Sequence, residues 1–346
     1  MSFASNSVVA KARAVFGRSL TNEDYSQLVS KENVADVCAY LKTTPRYSKV
    51  LASVTPQSVH RAQLETLVQK AVFEVFESFH RFDHTESKGF FNYIVLELEI
   101  EQILLALQSA ASGSALDFVA QLPSFLMEHS KVDLAALGRA RNLSEALDRL
   151  GGTGFEKIIG DLILQGIETG RFNISECERR LYNGYYLRML KAVERDYKGA
   201  ERKELKRAVL RAIDMENVVT LYRYARIFGT PAAEIPEKLI RFKYRLTPEV
   251  VERLVEQKDI AKIASELALV GYGIDGEIPP SVEQLAERIS LDFMKKTLRL
   301  SQSSSVVYFA LTQCLETELK NIKTIIEGIR YKMKASDILD MLVMSN

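Results

Sequence analysis

A chain of 346 residues, 47% of them hydrophobic and 26% charged, is long enough to bury a sizeable core. Its formal net charge of +1 gives no electrostatic case for nucleic-acid binding, which calls for a strongly basic surface. The three cysteines, Cys38, Cys177 and Cys314, form no disulfide framework and fit a reducing compartment. No apolar run is long enough to span a bilayer, and none follows the early basic residues as in a signal peptide, so we expect a plain first helix.

Long amphipathic helices are the elements that the sequence predicts throughout. The chain has only 17 glycines and 8 prolines, and alternation of period two persists nowhere. Apolar residues recur instead at steps of three and four, as on one face of a helix. The long helices are predicted over residues 62–78, 88–112, 178–195, 202–228, 282–300 and 304–333. The fold class is therefore expected to be all-α.

Three pairs of short helices are predicted between the long ones, and each pair begins at a hydroxyl residue. Thr21, Ser130 and Thr247 each lie seven residues before a leucine of an apolar stripe. Their side-chain oxygens are predicted N-caps, which accept a hydrogen bond from an otherwise unpaired N–H of the first turn. Pro248 stands at the first helical position of the third pair, where an N–H is not needed.

One polar pattern recurs on three of the long helices, an acid followed three residues later by an amide. The pairs are Glu99 with Gln102, Asp214 with Asn217, and Glu318 with Asn321. The amides could form the polar edge of an amphipathic helix, or they could bond across to a neighbouring element. Because an unpaired buried amide is costly and buried amides mostly fix packing, we expect a structural role for these six residues.

The recurrence of both patterns predicts three similar helical units. Their starts are about 110 residues apart, too far for a solenoid built from repeats of 20–50 residues. Triplication of a small helical domain fits this spacing. We therefore predict helical units over residues 1–114, 115–240 and 241–346.

No stretch carries a complete catalytic, cofactor-binding or metal-binding set. Residues 271–276 match the G-x-G-x-x-G pattern of dinucleotide sites, but a predicted helix precedes them where that motif needs a strand. Residues 151–154 are glycine-rich yet lack the Gly-Lys-Ser/Thr ending of a P-loop. His80 and His84 could share a helix face, but zinc needs three or four ligands. We therefore expect that the protein is not an enzyme and that it binds neither a cofactor nor a metal.

Several short motifs, each weak alone, follow one another in a specific order. They are Lys-Ala-Arg-Ala-Val-Phe-Gly at 11–17, Leu-Lys-Thr-Thr-Pro-Arg-Tyr at 41–47, Arg-Leu-Thr-Pro-Glu at 245–249 and Asn-Ile-Lys-Thr-Ile at 321–325. Together they resemble the C subunit of the prokaryotic V/A-type (vacuolar-type) ATPases, the counterpart of the eukaryotic d subunit, over essentially the whole chain. The chain departs from the family pattern at Gln102, where the other copies have Asn, and at residues 218–219, where two valines replace Ile-Lys.

This resemblance implies a concrete set of expectations. Members of the family are funnel-shaped, all-helical, pseudo-threefold proteins without catalytic activity. They lie at the cytoplasmic face of the membrane, one copy per complex, on the rotor ring of proteolipid subunits. Their cavity receives the central shaft, so that torque passes between ATPase head and ring during ATP-coupled proton or sodium transport. Membrane contact would then be indirect, through the ring.

Two features are candidates for contacts with such partners. Tyr182, Tyr185 and Tyr186 form an aromatic cluster within one predicted helix, and the segment 198–211 is rich in lysine and arginine. Aromatic residues at helical spacing more often pack in a core, and charge runs mostly face water. The three tyrosines are therefore a candidate interface whose alternative is packing in the core.

Two other functions remain open on the residues alone. A stand-alone helical adaptor would bind partner helices or peptides in a groove and have no link to a rotary motor. An enzyme with a site between units would need a pocket with clustered acids of perturbed pKa. The lack of a complete catalytic set disfavours the enzyme, and the family resemblance along the chain disfavours the adaptor.

Overall fold

The computed structural model describes residues 3–80, 88–113 and 124–345, and every regular element in these residues is helical. The helices are α1 Phe3–Phe16, α2 Asn22–Val29, α3 Val34–Leu41, α4 Ser48–Leu51, α5 Arg61–His80, α6 Lys88–Ser112, α7 Ser124–His129, α8 Leu134–Gly138, α9 Leu143–Leu150, α10 Glu156–Thr169, α11 Ile174–Asp196, α12 Gly199–Tyr222, α13 Ile235–Lys238, α14 Pro248–Glu256, α15 Ile260–Leu269, α16 Val282–Leu300, α17 Ser304–Arg330 and α18 Ala335–Met341. The predicted all-α fold class is confirmed.

The ends of the two long C-terminal helices follow from their local chemistry. Ser281 caps α16, because its side-chain oxygen accepts a hydrogen bond from the backbone N–H three residues later. The predicted bounds of α16 are confirmed, whereas α17 ends at Arg330, three residues before the predicted end. Lys332 adopts a left-handed conformation with φ 54°, and the N–H of Met333 donates to the carbonyl of Gly328 at 3.0 Å. This pairing satisfies carbonyls of the last turn and stops the helix.

Of the three predicted N-caps, the structure confirms Thr21 and corrects the other two. Thr21 and Asp24 form a capping box, in which each side chain accepts the other residue's backbone N–H. Asp133 caps α8 in place of Ser130, whose hydroxyl donates to a distant carboxylate. Thr247 does precede α14, but among the described residues its hydroxyl caps no backbone N–H.

Two more long helices differ from the predicted bounds by more than two residues, whereas the helix predicted over 62–78 extends only slightly further, as α5 Arg61–His80. The helix predicted from residue 178 begins at Ile174, because the side chain of Asn173 accepts the N–H of Glu176 at 3.0 Å. The helix predicted to residue 228 is α-helical only to Tyr222 and continues as a π-helical turn, Arg223–Ile227. Both differences lie at helix ends, where side-chain caps compete with helical pairing.

The larger of two compact units comprises Met1–Asp83 and Tyr197–Asn346 and contains two apolar clusters. In the first cluster, α2 to α5 pack against α17 and α18, and Leu41 and Ile322 are fully buried. In the second cluster, α12 to α16 pack together around side chains such as Leu285. Helix α17 therefore shares one apolar core with the short helices α2 to α4 at the start of the chain.

The smaller unit comprises His84–Asp196 and holds α6 to α11. Helix α6 packs along α11, and α9 packs on α10. Ile103, Leu137, Leu150 and Ile163 supply fully buried side chains from four different helices. This unit therefore has an apolar core of its own.

Each helix with an acid–amide pair belongs to a different set of packed helices. Helix α6 begins the smaller unit, while α12 and α17 contribute to the two clusters of the larger unit. The division of the sequence into residues 1–114, 115–240 and 241–346 rests on the repeats alone. That division, the threefold symmetry and the funnel shape stay predictions.

Candidate functional site

Glu318, the acid on α17, anchors the segments before and after the first short helix pair. Its carboxylate accepts the backbone N–H of Leu20 at 2.9 Å and the hydroxyl of Tyr47 at 2.7 Å. Arg46 completes the cluster as a buried ion pair, with Nε 2.8 Å from Oε1 of Glu318. Burial and the charge of Glu318 raise the pKa of Tyr47 well above its usual value, so its hydroxyl stays a donor.

Asp214, the acid on α12, makes the same kind of anchor before α14. Its two oxygens accept the backbone N–H groups of Tyr244 at 2.9 Å and Arg245 at 2.7 Å. The hydroxyl of the buried Tyr272 donates to it at 2.5 Å. Burial raises the pKa of Asp214, and the hydrogen bonds from the tyrosine and the backbone oppose that rise.

Glu99, the acid on α6, anchors the segment before α8. Its carboxylate accepts the hydroxyl of Ser130 at 2.8 Å and the backbone N–H of Lys131 at 2.6 Å. The hydroxyl of Ser130 also accepts the N–H of Val132 at 3.1 Å, but Ser130 does not cap the helix because α8 begins only at Leu134, after Asp133. Phe155 follows the last buried leucine of this helix pair, Leu150, at the spacing at which Tyr272 follows Leu267, so the corresponding position in the sequence has no hydroxyl.

The amides of the pattern bind one backbone residue from both sides in two of the three copies. Asn217 accepts the N–H of Ile240 at 2.7 Å and donates to the carbonyl of the same residue at 3.1 Å. Asn321 accepts the N–H of Val343 at 2.9 Å and donates to its carbonyl at 2.8 Å. Gln102 is half-buried, and its side chain makes no hydrogen bond within the described part of the chain.

The carboxylates and amides of these clusters hold backbone segments in place. Each acid is buried and receives donors from backbone and side chains, which offset part of the cost of burying a carboxylate. Among the described residues, no cation forms an ion pair with Asp214 or Glu99. The periodicity of the sequence does not single out Tyr47 and Tyr272. The available signal is a tyrosine five or six residues after the last apolar-stripe leucine of a short helix pair, which is Leu41 in one pair and Leu267 in the other.

The glycine-rich stretches act as turns. Gly271 has φ +80°, and a Cβ there would collide with the guanidinium of Arg245, which donates to the carbonyl of Val270 at 2.5 Å. Gly152 has φ +75° in the turn between α9 and α10, and its N–H donates to Glu156 at 2.7 Å. Both loops therefore have local structural reasons for glycine.

Metal ligands are not clustered in the described part of the chain, where no three His, Cys, Asp or Glu residues could share an ion. The side chain of His80 and all of His84, the two candidate ligands in the sequence, lie outside the described residues.

The three candidate interface tyrosines lie on α11 with their rings together. Tyr185 and Tyr186 are 4% and 7% exposed, and their ring centroids are 4.9 Å apart. The hydroxyl of Tyr185 donates to Glu97 on α6 at 2.9 Å, and the ring of the half-buried Tyr182 lies 6.2 Å from that of Tyr185. Tyr185 and Tyr186 therefore pack in the core of the smaller unit. A role in binding a partner stays a prediction.

The basic segment 198–211 opens α12, and its cations are either exposed, as Lys203 and Lys206 are, or half-buried, as Arg202 and Arg211 are. Arg211 stacks its guanidinium over the rings of Tyr272 and Phe293, at 4.4 and 4.3 Å from the centroids. Burial lowers the pKa of Arg211. This arginine therefore supports the loop around the Asp214 anchor from outside.

Comparisons with known proteins converge on one family. Residues 8–341 match the family model described as ATP synthase (C/AC39) subunit. The C subunit of the A-type ATP synthase of Desulfurococcus sp. (strain SY) is 28% identical over 233 residues, which cover 67% of this chain and 60% of the relative. The chain thus spans less than two thirds of that relative's length.

Within the described ranges, no helix is both long and apolar enough to cross a membrane.

Proposed function

The chain belongs to the ATP synthase (C/AC39) subunit family, and from this premise we propose that it is a non-catalytic part of the central stalk of a V/A-type rotary ATPase. It connects the central shaft to the membrane rotor ring and transmits torque for ATP-coupled proton or sodium transport. It stays at the cytoplasmic face and reaches the membrane only through the ring. Its role is mechanical, and the ATP chemistry belongs to other subunits.

The observation that carries this proposal is the recurrence of one buried anchor on three long helices of a chain that matches the family over residues 8–341. Glu99, Asp214 and Glu318 each tie the backbone before a short helix to the side of a long one. Hydrogen bonds to a charged acceptor are about twice as strong as neutral ones. A part that transmits torque needs such resistance to local bending between its helices.

The test is capture of the tagged chain from gently solubilised native membranes. We expect co-purification of an ion-carrying ring protein together with the catalytic ATPase subunits. A tagged chain of similar size from outside the complex is the control for nonspecific capture. Recovery of neither set of subunits would overturn the central-stalk assignment and favour a stand-alone helical adaptor.

A further inference from the structure

A cleft of about 390 Å³ opens beside α16 in the larger unit, and its lining is basic. The charged lining residues are the four cations Arg288, Lys295, Lys296 and Arg299 and the two acids Asp275 and Asp292. They leave two positive charges in excess, although the net charge of the whole chain is only +1. A cleft of this size is large enough for a small ligand.

One pair of these charges is already matched within the protein. Arg288 pairs with Asp292, with Nε 3.0 Å from Oδ2, and also donates to the carbonyl of Met344. The other charged lining residues make no hydrogen bond or ion pair with any residue that the structure describes; they are Lys295, Lys296, Arg299 and Asp275. Three cations and one acid are thus left to face a ligand.

The three free cations lie close together near the C-terminal end of α16. Lys295, Lys296 and Arg299 fall within five consecutive residues. At 1.5 Å per residue, this stretch extends over about 6 Å along the helix axis. Because all three also line the same cleft, one compact anion can contact them together. An extended acidic segment would find no second group of free cations in the lining.

The dipole of α16 accounts for two of these cations but not for the third. Cations are favoured in the last turn of a helix, so the exposed Lys296 and Arg299 need no ligand to explain them. Lys295, in contrast, is half-buried, and burial is the main cause that lowers the pKa of its ammonium. A partly desolvated cation without an ion-pair partner is unfavourable, and an anion in the cleft would offset this cost.

Ser345 supplies a second unmatched polar group in the same cleft. It lines the cleft from the C-terminal segment and is only 7% exposed. Its hydroxyl makes no hydrogen bond with any residue that the structure describes. A buried hydroxyl normally has a partner, and an oxyanion beside Lys295 could accept its hydrogen bond.

We propose that this cleft binds a phosphate group, held by Lys295, Lys296 and Arg299 and by the hydroxyl of Ser345. The two negative charges of a phosphate dianion equal the positive excess of the lining. The guanidinium of Arg299 can donate to two phosphate oxygens at once, and each ammonium supplies a further charged donor. Inorganic phosphate, a nucleotide and a phospholipid headgroup all present this group. The central-stalk role does not depend on such a site, so failure of phosphate binding would leave that role intact.

The test is calorimetric titration of the full chain with inorganic phosphate at constant ionic strength. The cleft variant is Lys295→Gln with Arg299→Gln, and the control with the same change in charge is Lys258→Gln with Lys262→Gln, at exposed positions outside the cleft lining. We expect wild type and control to bind phosphate saturably and the cleft variant to bind it at least about tenfold more weakly. Absence of saturable binding by wild type, or equal affinities of wild type and cleft variant, would overturn the proposal.

Two further titrations test the sign and the class of the ligand. Asp275 is exposed and repels an anion in the cleft, so Asp275→Asn should bind phosphate about two- to fivefold more tightly. Weaker binding by this variant would overturn the proposal. Acetate should bind wild type at least about tenfold more weakly than phosphate, because it carries a single charge; equal affinities would overturn the phosphate assignment. If the cleft variant misfolds, Lys296→Gln with Arg299→Gln replaces it, since both side chains are exposed.

Titration with ADP and flotation with vesicles of phosphatidylglycerol and phosphatidylcholine distinguish the sources of the phosphate group. Tighter binding of ADP than of phosphate, lost in the cleft variant, would assign the site to a nucleotide. Flotation that free phosphate reverses, and that the cleft variant lacks, would assign it to a lipid headgroup. Saturable binding of phosphate without either result would identify inorganic phosphate as the ligand.

Discussion

Replacement of Asn217 by alanine tests the physical role of the repeated amide. Asn217 is 0% exposed, and its side chain bonds both the N–H and the carbonyl of Ile240, at 2.7 and 3.1 Å. Alanine cannot replace either bond, and Ile240 is itself buried. The variant therefore leaves a backbone donor and an acceptor without partners at a buried residue, next to Leu239 of the second apolar cluster.

The magnitude follows from these two lost bonds. A buried donor left unpaired costs about 1–3 kcal/mol, and loss of the bond to the carbonyl adds about 1 kcal/mol. We expect Asn217→Ala to lower the free energy of unfolding of the larger unit by about 2–4 kcal/mol. Because each 1.4 kcal/mol is a factor of ten, the amide of Ile240 should then exchange about 30 to 1,000 times faster.

Native-state hydrogen exchange read by mass spectrometry measures this directly, with urea unfolding as a second observable. Gln102→Ala is the matched control, since Gln102 occupies the same position of the pattern but its side chain makes no hydrogen bond within the described residues. Gln102→Ala should change the free energy of unfolding by no more than about 0.5 kcal/mol. Equal effects of the two substitutions, or no acceleration at Ile240, would refute the packing role assigned to the amide.

Three further predictions concern the anchors, the turns and the thiols. Tyr272→Phe removes the hydroxyl bonded to the acid of α12 and should lower the unfolding free energy in urea by about 1.5–3 kcal/mol. Gly271→Ala should destabilise more than Gly152→Ala, since both have positive φ but only the first meets a side chain; equal melting temperatures would contradict this. Burial raises the pKa of Cys177 and Cys314 to about 12, so a disulfide reagent at pH 8 should modify these thiols only after unfolding.

Features that depend on neighbouring residues can be predicted from the sequence. The capping box at Thr21 needs only Asp24, three residues later, and the structure contains it. The bounds of α6 and α16 follow from helical periodicity between breaks, and the structure has them at the predicted residues. Family membership is likewise predictable and is confirmed, because it rests on the order of motifs along the chain.

Features that depend on distant residues cannot be predicted in this way. Ser130 has the local pattern of a cap, but its hydroxyl bonds Glu99, 31 residues away. Tyr47 and Glu318 are 271 residues apart, and periodicity carries no information on such a contact. The same limit explains why the sequence predicts a structural role for the acid–amide pairs but not the backbone segments that they bind.

Mechanical coupling is tested most directly by measuring ATP hydrolysis and ion transport in the same membranes. Membrane vesicles from a strain without this chain are compared with vesicles to which the purified chain has been restored. We predict that ATP-driven ion transport is lost without the chain and returns with it, while the ATPase head continues to hydrolyse ATP. Ion transport at the wild-type rate in vesicles without the chain would contradict the central-stalk role.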